Sequence, residues 1–568
     1  MKKHTVSILL GVIIVIAAFI RLVRLEGIPN GLYQDETSIG YNAYSILVTG
    51  KDEYGRPFPI YFESFGDWKL PVYIYTTVAF VKLFGLSAWA VRLPSALYGI
   101  LTVGVLYFFV KTFTKNEKLS LVSAFLLAIN PWHIHYSRAA FEVSIALFFL
   151  LLGTLFLKYF FIDQKRGGLF AGTLCFLVVM YSYNLTRLLA PVLFCFVGAM
   201  LVRNSRRRFG KKEIFVTVLC SFVLLLPIVL TFFTNGGVAS AQGTLITSSA
   251  YVKAPILELR SYFTSFPQAF TKLLFNTYLL TFLVFLKHIV SYFSVDFYFL
   301  TGSTHGNHGN GLAGQLYLFE LLTIPIGFMV MKRRYFSFWK LIIGWIGLSI
   351  LVASLTREAP HATRSFFLVP MIVIFSSAGL IHLYDYARAH IIRNSNNRIH
   401  FLITISAGLG IMTYLVVQYF LIYFVVFPVS YAANWRSLDE DVVRYIENHR
   451  NEYDRIVIDK NAGLIYSSIL FYTKYPPHVF QTEAVRAVPD SEGFHIPVSF
   501  PGYEYHDDFA LPVSHNEKIL FVGKKESIPS QAVILEQFDY PVRPVVMAIG
   551  QSIVSYPTRD SGYTLFTY

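Results

Sequence analysis

Apolar runs of roughly 18–25 residues, bounded by polar or charged residues, recur along the chain as far as about residue 430. A run of that length crosses a bilayer only as a helix, because hydrocarbon offers no partner to an unpaired backbone N–H or C=O. The candidate spans are 6–25, 89–110, 119–135, 140–161, 168–185, 187–202, 213–233, 315–331, 338–355, 364–384 and 400–427. They predict an α-helical polytopic membrane protein with about eleven transmembrane helices plus interfacial helices. Composition agrees: 14% of the 568 residues are charged and mean hydropathy is +0.52, against roughly 25% charged in soluble domains.

Two shorter runs, 71–84 and 273–286, suit interfacial or re-entrant segments. Keeping both on one side places every strongly basic loop on the other: 111–118, 163–168, 203–212, 331–334 and 387–398. By the positive-inside rule these loops are cytoplasmic. The N-terminal "MKKHTVSILLGVIIVIAAFIRL" then reads as an uncleaved signal anchor, with a cytoplasmic N-terminus, in the plasma (inner) membrane. The net charge of +14 is accounted for by these loops, and no aromatic-interleaved basic surface points to nucleic acid. Cys175, Cys195 and Cys220 all fall in apolar segments and read as small packing residues.

Residues 1–430 form the expected membrane core, with a first outer loop at 26–88 and a second large outer loop at 234–314. Residues 434–568 are polar, and "RIVIDK", "KILFVGK" and "AVILEQF" read as short strands. "SLDEDVVRYIENHR" reads as a helix with Ser437 as N-cap and Glu440 closing a capping box. The expectation is a small extracytoplasmic α/β domain.

Chemistry-bearing residues collect at the outer ends of the spans. Asp35 and Glu36 open the amphipathic "DETSIGYNAYSILVTG", either as helix-start acids favoured by the dipole or as site acids. Asp67 and Lys69 precede Pro71, a residue suited to the first position of a helix. Arg92, near the outer end of a span, is expected to snorkel to the interface. "NPWHIHYSRAAFE" carries His133, His135, Arg138 and Glu142; Arg138 and Glu142 are spaced for one helical turn, and Arg138 is either ion-paired or a phosphate ligand. A Gly-rich turn holds His305 and His308, and "TREAPHATR" holds Arg357, Glu358, His361 and Arg364. Arg364 opens a helix, where backbone N–H groups also attract anions.

The first outer loop, with its acid pair, and the stretch "FGLSAWAVRLPSAL" resemble the class C membrane glycosyltransferases, in particular the protein O-mannosyltransferase and aminoarabinose transferase superfamily. The resemblance covers roughly residues 5–430. It implies that Asp35 is the catalytic base with Glu36 beside it, and that the Asp67–Lys69 element contacts lipid phosphate or a divalent metal. This chain departs from the acidic-basic-Pro pattern by placing Trp68 between the two charges. The C-terminal domain does not match the β-trefoil inserts of eukaryotic protein mannosyltransferases, so a protein acceptor is not implied.

The function expected is an inverting transfer of a hexose or pentose from a polyprenyl-phosphate donor to a hydroxyl on a glycan, lipid or protein acceptor. Lys69, Arg138 and Arg364 would meet the phosphate, Asp67 would serve as a second acid or lie beside a metal, and His305, His308 and His361 would contact donor or acceptor. A lipid-linked sugar polymerase or ligase shares the basic outer cluster without needing Asp35. A transporter calls for charges at mid-membrane, and a binding protein would tolerate loss of Asp35.

Overall fold

The computed structural model describes residues 2–203, 205, 210–231, 233, 243–247, 249–303, 305–309, 312–391, 398–462, 464–488, 496–507, 517–524, 527–529, 531–541 and 562–567. Arg206–Arg208 of one basic loop, residues 234–242 of the second outer loop and residues 392–397 of another basic loop lie outside these.

The protein is an α-helical polytopic membrane protein with a C-terminal sheet. Among the described residues, eight helices are long and apolar enough to cross a membrane: Lys3–Leu22, Ala88–Thr114, Val143–Phe161, Lys211–Thr231, Gln268–Ser291, Phe336–Ser354, Phe366–Ala389 and Ile399–Ser430. Pro71–Phe84, Gly168–Met180 and Thr186–Val202 are shorter apolar helices. The expected span 119–135 is a 13-residue helix, Glu117–Ile129, followed by Pro131–Tyr136. Asn130 divides them: its backbone ends the first helix, its side chain accepts from His133 N–H, and Pro131 starts the second.

Gln268–Ser291 is longer than the interfacial run expected at 273–286, though it breaks near Phe275. Arg357 N–H donates to Thr244 O at 3.0 Å, and His288 Nδ1 lies 3.2 Å from Ser354 O. Both contacts are at the C-terminal end of Phe336–Ser354, so residues 244 and 288 sit at one end of the same helix. Of the cysteines, Cys175 is buried while Cys195 is exposed on its helix surface.

Among the described residues the C-terminal sheet has seven strands, in the order Val485–Arg486, Pro497–Phe500, Tyr503–His506, Arg455–Asp459, Ile519–Gly523, Tyr563–Thr567, Val533–Phe538. Arg455–Asp459 runs parallel to both neighbours. Its "RIVID" run is buried on both faces, as a central parallel strand requires. The helix Asp439–His449 forms without the expected Ser437–Glu440 capping box. Asp439 instead accepts from Arg436 Nε (2.7 Å) and Tyr563 OH (2.9 Å), linking the helix start to the sheet.

This domain docks on the helix Gln34–Thr49, which the acid pair begins. Thr37 Oγ1 lies 2.9 Å from Ser467 Oγ, Tyr41 OH donates to Tyr475 O at 3.1 Å, and Gln481 Nε2 donates to Ser45 Oγ and Thr49 Oγ1, each at 3.0 Å. Gly40 lies at the closest approach, where a Cβ would collide with Phe471 and Val91.

Candidate active site

The acid pair opens its helix as expected, but successive residues on a helix are separated by about 100°, and the two carboxylates face different surroundings. Glu36 has no exposure. Arg92 grips it with both ends of its fork, Nε to Oε1 at 2.9 Å and Nη2 to Oε2 at 2.8 Å, and Ala140 N–H adds a third bond at 3.0 Å. The structure therefore corrects two expectations. Glu36 is a buried structural acid instead of a partner in the site, and Arg92 is sealed within the protein instead of snorkelling to the interface. The same guanidinium donates to Leu25 O (3.1 Å), Pro29 O (2.9 Å) and Gly31 O.

Asp35 faces outward and keeps about a third of its side-chain exposure. Lys69 Nζ reaches it at 2.9 Å and reaches Asp67 at 2.6 Å. The intervening "FESFGDWK" folds as a hairpin, Phe62–Ser64 against Asp67–Lys69. Its two-residue turn, Phe65–Gly66, has positive φ at both positions, +43° and +90°, the geometry that matches strand twist. Alternation along Asp67–Lys69 puts both charges on one face and turns Trp68 to the other. Pro71 then occupies the first turn of its helix.

Beneath the hairpin, Ser64 Oγ donates to Glu53 Oε1 (2.7 Å), as does Asn42 Nδ2 (3.1 Å). Burial pushes the Glu53 carboxyl up to about 7, against these two hydrogen bonds.

Arg138 is also corrected. Residues 137–142 are not helical, so the one-turn spacing to Glu142 does not apply. Arg138 is fully buried and donates to the carbonyls of Ile20 (2.6 Å), Val23 (2.8 Å), Arg24 (3.2 Å) and Ile28 (3.1 Å). It braces the start of the first outer loop through these carbonyls. Arg21, which sequence reading passed over, does similar work, donating to Ala128 O (2.9 Å) and contacting His133 Nδ1 (2.6 Å). His133 and His135 are buried; His135 Nε2 lies 2.9 Å from Asn307 O.

Glu142, released from Arg138, lies within electrostatic reach of Lys69, Asp35 and Asp67. Burial and the two aspartates raise its carboxyl to about 7, against the pull of Lys69. Burial likewise raises Asp35, and Asp67 adds to this while Lys69 opposes it. Asp67 is held below the usual carboxylate range: burial works the other way, but the Lys69 ammonium outweighs it.

A second group packs nearby. The rings of His305 and His308 are 4.5 Å apart, and those of His308 and His361 4.6 Å. Thr363 Oγ1 bonds both His308 Nδ1 (3.0 Å) and Tyr136 OH (2.7 Å). Burial and the neighbouring positive groups keep His308 and His361 well below the usual imidazole range. Arg364 donates to Thr356 Oγ1 (3.1 Å) and Glu358 O (3.0 Å). Among the described residues no three His, Cys, Asp or Glu side chains are arranged to hold a metal ion.

Two residues bridge the groups. The Phe141 ring lies 5.7 Å from His308 and 5.9 Å from Tyr33, next to the acid pair. Tyr183 feels Arg364 on one side and Glu142 and Asp67 on the other. Tyr183 was missed because a single Tyr in an aromatic-rich membrane chain carries no distinguishing signal.

Pro71, which follows Lys69 and Leu70 in the chain, lines an apolar cleft of about 510 Å³ together with Ile60, Tyr75, Tyr98, Phe149 and Leu174, among others. The cleft runs between the helices Pro71–Phe84, Val143–Phe161 and Gly168–Met180.

Residues 69–230 match the family described as dolichyl-phosphate-mannose-protein mannosyltransferase. Two Bacillus subtilis (strain 168) proteins are similar: "Putative mannosyltransferase YycA", 29% identical over 192 residues (34% of this chain, 27% of that protein), and "Putative mannosyltransferase YkcB", 28% identical over 187 residues (32% and 24%). The matches span about a quarter of the length of these relatives. The crystal structure of ArnT from Cupriavidus metallidurans bound to undecaprenyl phosphate aligns over 100% of this chain and 98% of that one, with TM-score 0.51 and 13% sequence identity. At that identity the likeness concerns the fold, and by it this chain has the fold of the class C membrane glycosyltransferases, the superfamily of the protein O-mannosyltransferases and the ArnT-like enzymes.

Proposed function

We propose that this protein transfers a sugar, a hexose or pentose, from a polyprenyl-phosphate donor to a hydroxyl acceptor at the outer face of the plasma membrane, with inversion at the anomeric carbon. The observation that carries this reading is the Asp35–Lys69–Asp67 cluster, which the chain joins through Leu70 to Pro71, a lining residue of an apolar cleft. A polyprenyl chain suits the cleft, and its phosphate suits the Lys69 ammonium. The matched family and the undecaprenyl phosphate of the similar ArnT structure support the donor class.

In this mechanism the incoming phosphate competes with Asp35 for Lys69 and so frees the carboxylate as the donor arrives. Asp35 accepts the acceptor's hydroxyl proton while that oxygen bonds the anomeric carbon. The bond from that carbon to the phosphate oxygen breaks, and polyprenyl phosphate leaves with the electron pair. Lys69 and Arg364 stabilise the charge gathering on it. Asp67 holds Lys69, and Glu142 is a second carboxylate at the same site. His305, His308 and His361 line the far side, where the acceptor glycan, lipid or protein would enter. The N-terminus is cytoplasmic, and the C-terminal domain lies outside and steadies the Asp35 helix.

The test is turnover in proteoliposomes supplied with radiolabelled polyprenyl-phosphate sugars and an extract of envelope acceptors. Wild type should move label off the lipid, and Asp35→Asn should be slower by about 10²–10⁴-fold. Equal transfer by the two proteins would exclude Asp35 as the base.

A further inference from the structure

The end of the helix Glu320–Arg334 remote from the Asp35 site carries a second feature. The chain before Glu320 meets the segment that leads into Tyr136: Tyr317 OH donates to Ile129 O (2.6 Å), and Gln315 O accepts from Trp132 N–H (3.3 Å). The 15 residues then run about 22 Å away from it. Along the way the helix packs tightly on Val369–Ile391. The tightest point is Gly327 against Gly379, where a Cβ on either glycine would strike the other helix's backbone.

One turn further, a cleft of about 490 Å³ opens, lined by Ile326, Met329, Val330, Arg333, Arg334 and His382. A second cleft of about 360 Å³ shares Met329 and Arg333 with it and adds Lys332 and Phe336. Apolar walls thus end in three exposed cations, Lys332, Arg333 and Arg334, beside the exposed His382, and among the described residues no acid lines either cleft. The nearest carboxylate on the partner helix, Asp385, is already paired with Lys118 at 2.9 Å.

We propose that these joined clefts bind an anionic glycerophospholipid of the bilayer leaflet opposite the Asp35 site. The headgroup phosphate sits against Arg333 and Arg334, whose forks suit its oxygens. The first carbons of the acyl chains lie along Ile326, Met329, Val330 and Phe336. Charge complementarity selects the occupant, because a zwitterionic headgroup would bring its own cation among Lys332, Arg333 and Arg334. Basic pockets between helices at a membrane surface bind lipid phosphates by this combination. The site is independent of the transfer reaction.

The experiment is native mass spectrometry of the purified full chain, released from detergent with equal amounts of phosphatidylglycerol and phosphatidylcholine. Wild type should retain phosphatidylglycerol preferentially. Arg333→Ala/Arg334→Ala should lower that preference roughly tenfold or more. Lys211→Ala/Lys212→Ala removes the same charge from exposed positions of another basic loop and should keep the preference. Equal retention of the two lipids by wild type, or equal loss in both double variants, overturns the proposal. Should the arginine variant fail to fold, wild type alone decides. Trp339 lies against Phe336 (5.7 Å) and Lys332 (5.7 Å). Its fluorescence, taken as the difference from Trp339→Phe, should be quenched more by bromine-labelled phosphatidylglycerol than by the phosphatidylcholine analogue. Equal quenching refutes the site.

Discussion

Arg92 and Glu36 form a two-point ion pair in which neither side chain reaches solvent. Removing one partner leaves the other buried and uncompensated, at a cost of about 3–5 kcal/mol. Glu36→Gln and Arg92→Ala should each lower thermal stability sharply in detergent. Asp35→Asn, one residue away and partly exposed, should leave the melting midpoint nearly unchanged. A comparable loss in Asp35→Asn would mean that Asp35 also holds the fold.

The rate should depend on pH through Asp35. A base works only when deprotonated, and burial with Asp67 raises this carboxyl above its ordinary range. The acid limb of kcat/KM should therefore fall at a higher pH than a solvated Asp would give. Asp67→Asn removes the like charge and should move that limb to lower pH. A limb that stays put in the variant would argue against Asp35 as the titrating group.

Glu53 predicts a separate effect on stability. Its carboxyl rises from an ordinary 4.5 to about 7 on folding, chiefly through burial. The folded state thus binds the proton more tightly, and Glu53's contribution is present below about 4.5 and lost as pH rises through about 7. Glu53→Gln keeps an acceptor for Ser64 and Asn42 and should flatten the decline. Unfolding midpoints at several pH values, compared with wild type, would show it.

Filling the apolar cleft should separate donor binding from catalysis. Leu174 lines it and is 39% exposed, so Leu174→Trp can occupy the space without disturbing the core. The expected outcome is a KM several-fold higher for a long-chain donor, with little change for a short-chain analogue. A uniform fall in kcat for both would place the lipid elsewhere.

The domain contact at Gly40 allows a structural test. Gly40→Val overfills the joint with Phe471 and Val91 at a cost of about 1–3 kcal/mol. Limited proteolysis should then release the C-terminal domain faster, with the membrane helices intact.

Much of this architecture is legible in the amino-acid sequence. The long apolar runs, the helix opened by Asp35 and the strands "RIVID" and "ILFVG" follow from periodicity and segment length alone. Charge roles are not. Glu36 and Asp35 are chemically alike neighbours, and only the position of Arg92, 56 residues away, tells which is buried. Arg138 and Glu142 looked like one helical turn because nothing local shows that Pro131–Tyr136 stops short of them. Asp67 and Lys69 could be paired in sequence, yet their meeting with Asp35 depends on a hairpin whose non-glycine turn residue, Phe65, gives little warning.

The carbonyl bonds made by Arg138 bear on how this loop tolerates change. A guanidinium that grips backbone oxygens is indifferent to the side chains above them, so Val23 can be exchanged while the path is kept, whereas Arg24, at φ +50°, admits only residues that accept the left-handed region. An insertion or deletion of one residue between Ile20 and Ile28 would instead shift the oxygens out of reach. Here the number of residues is fixed by the carbonyls as firmly as the buried Ile20, Leu25 and Ile28 are fixed by packing, and that spacing sets where the helix of Asp35 begins.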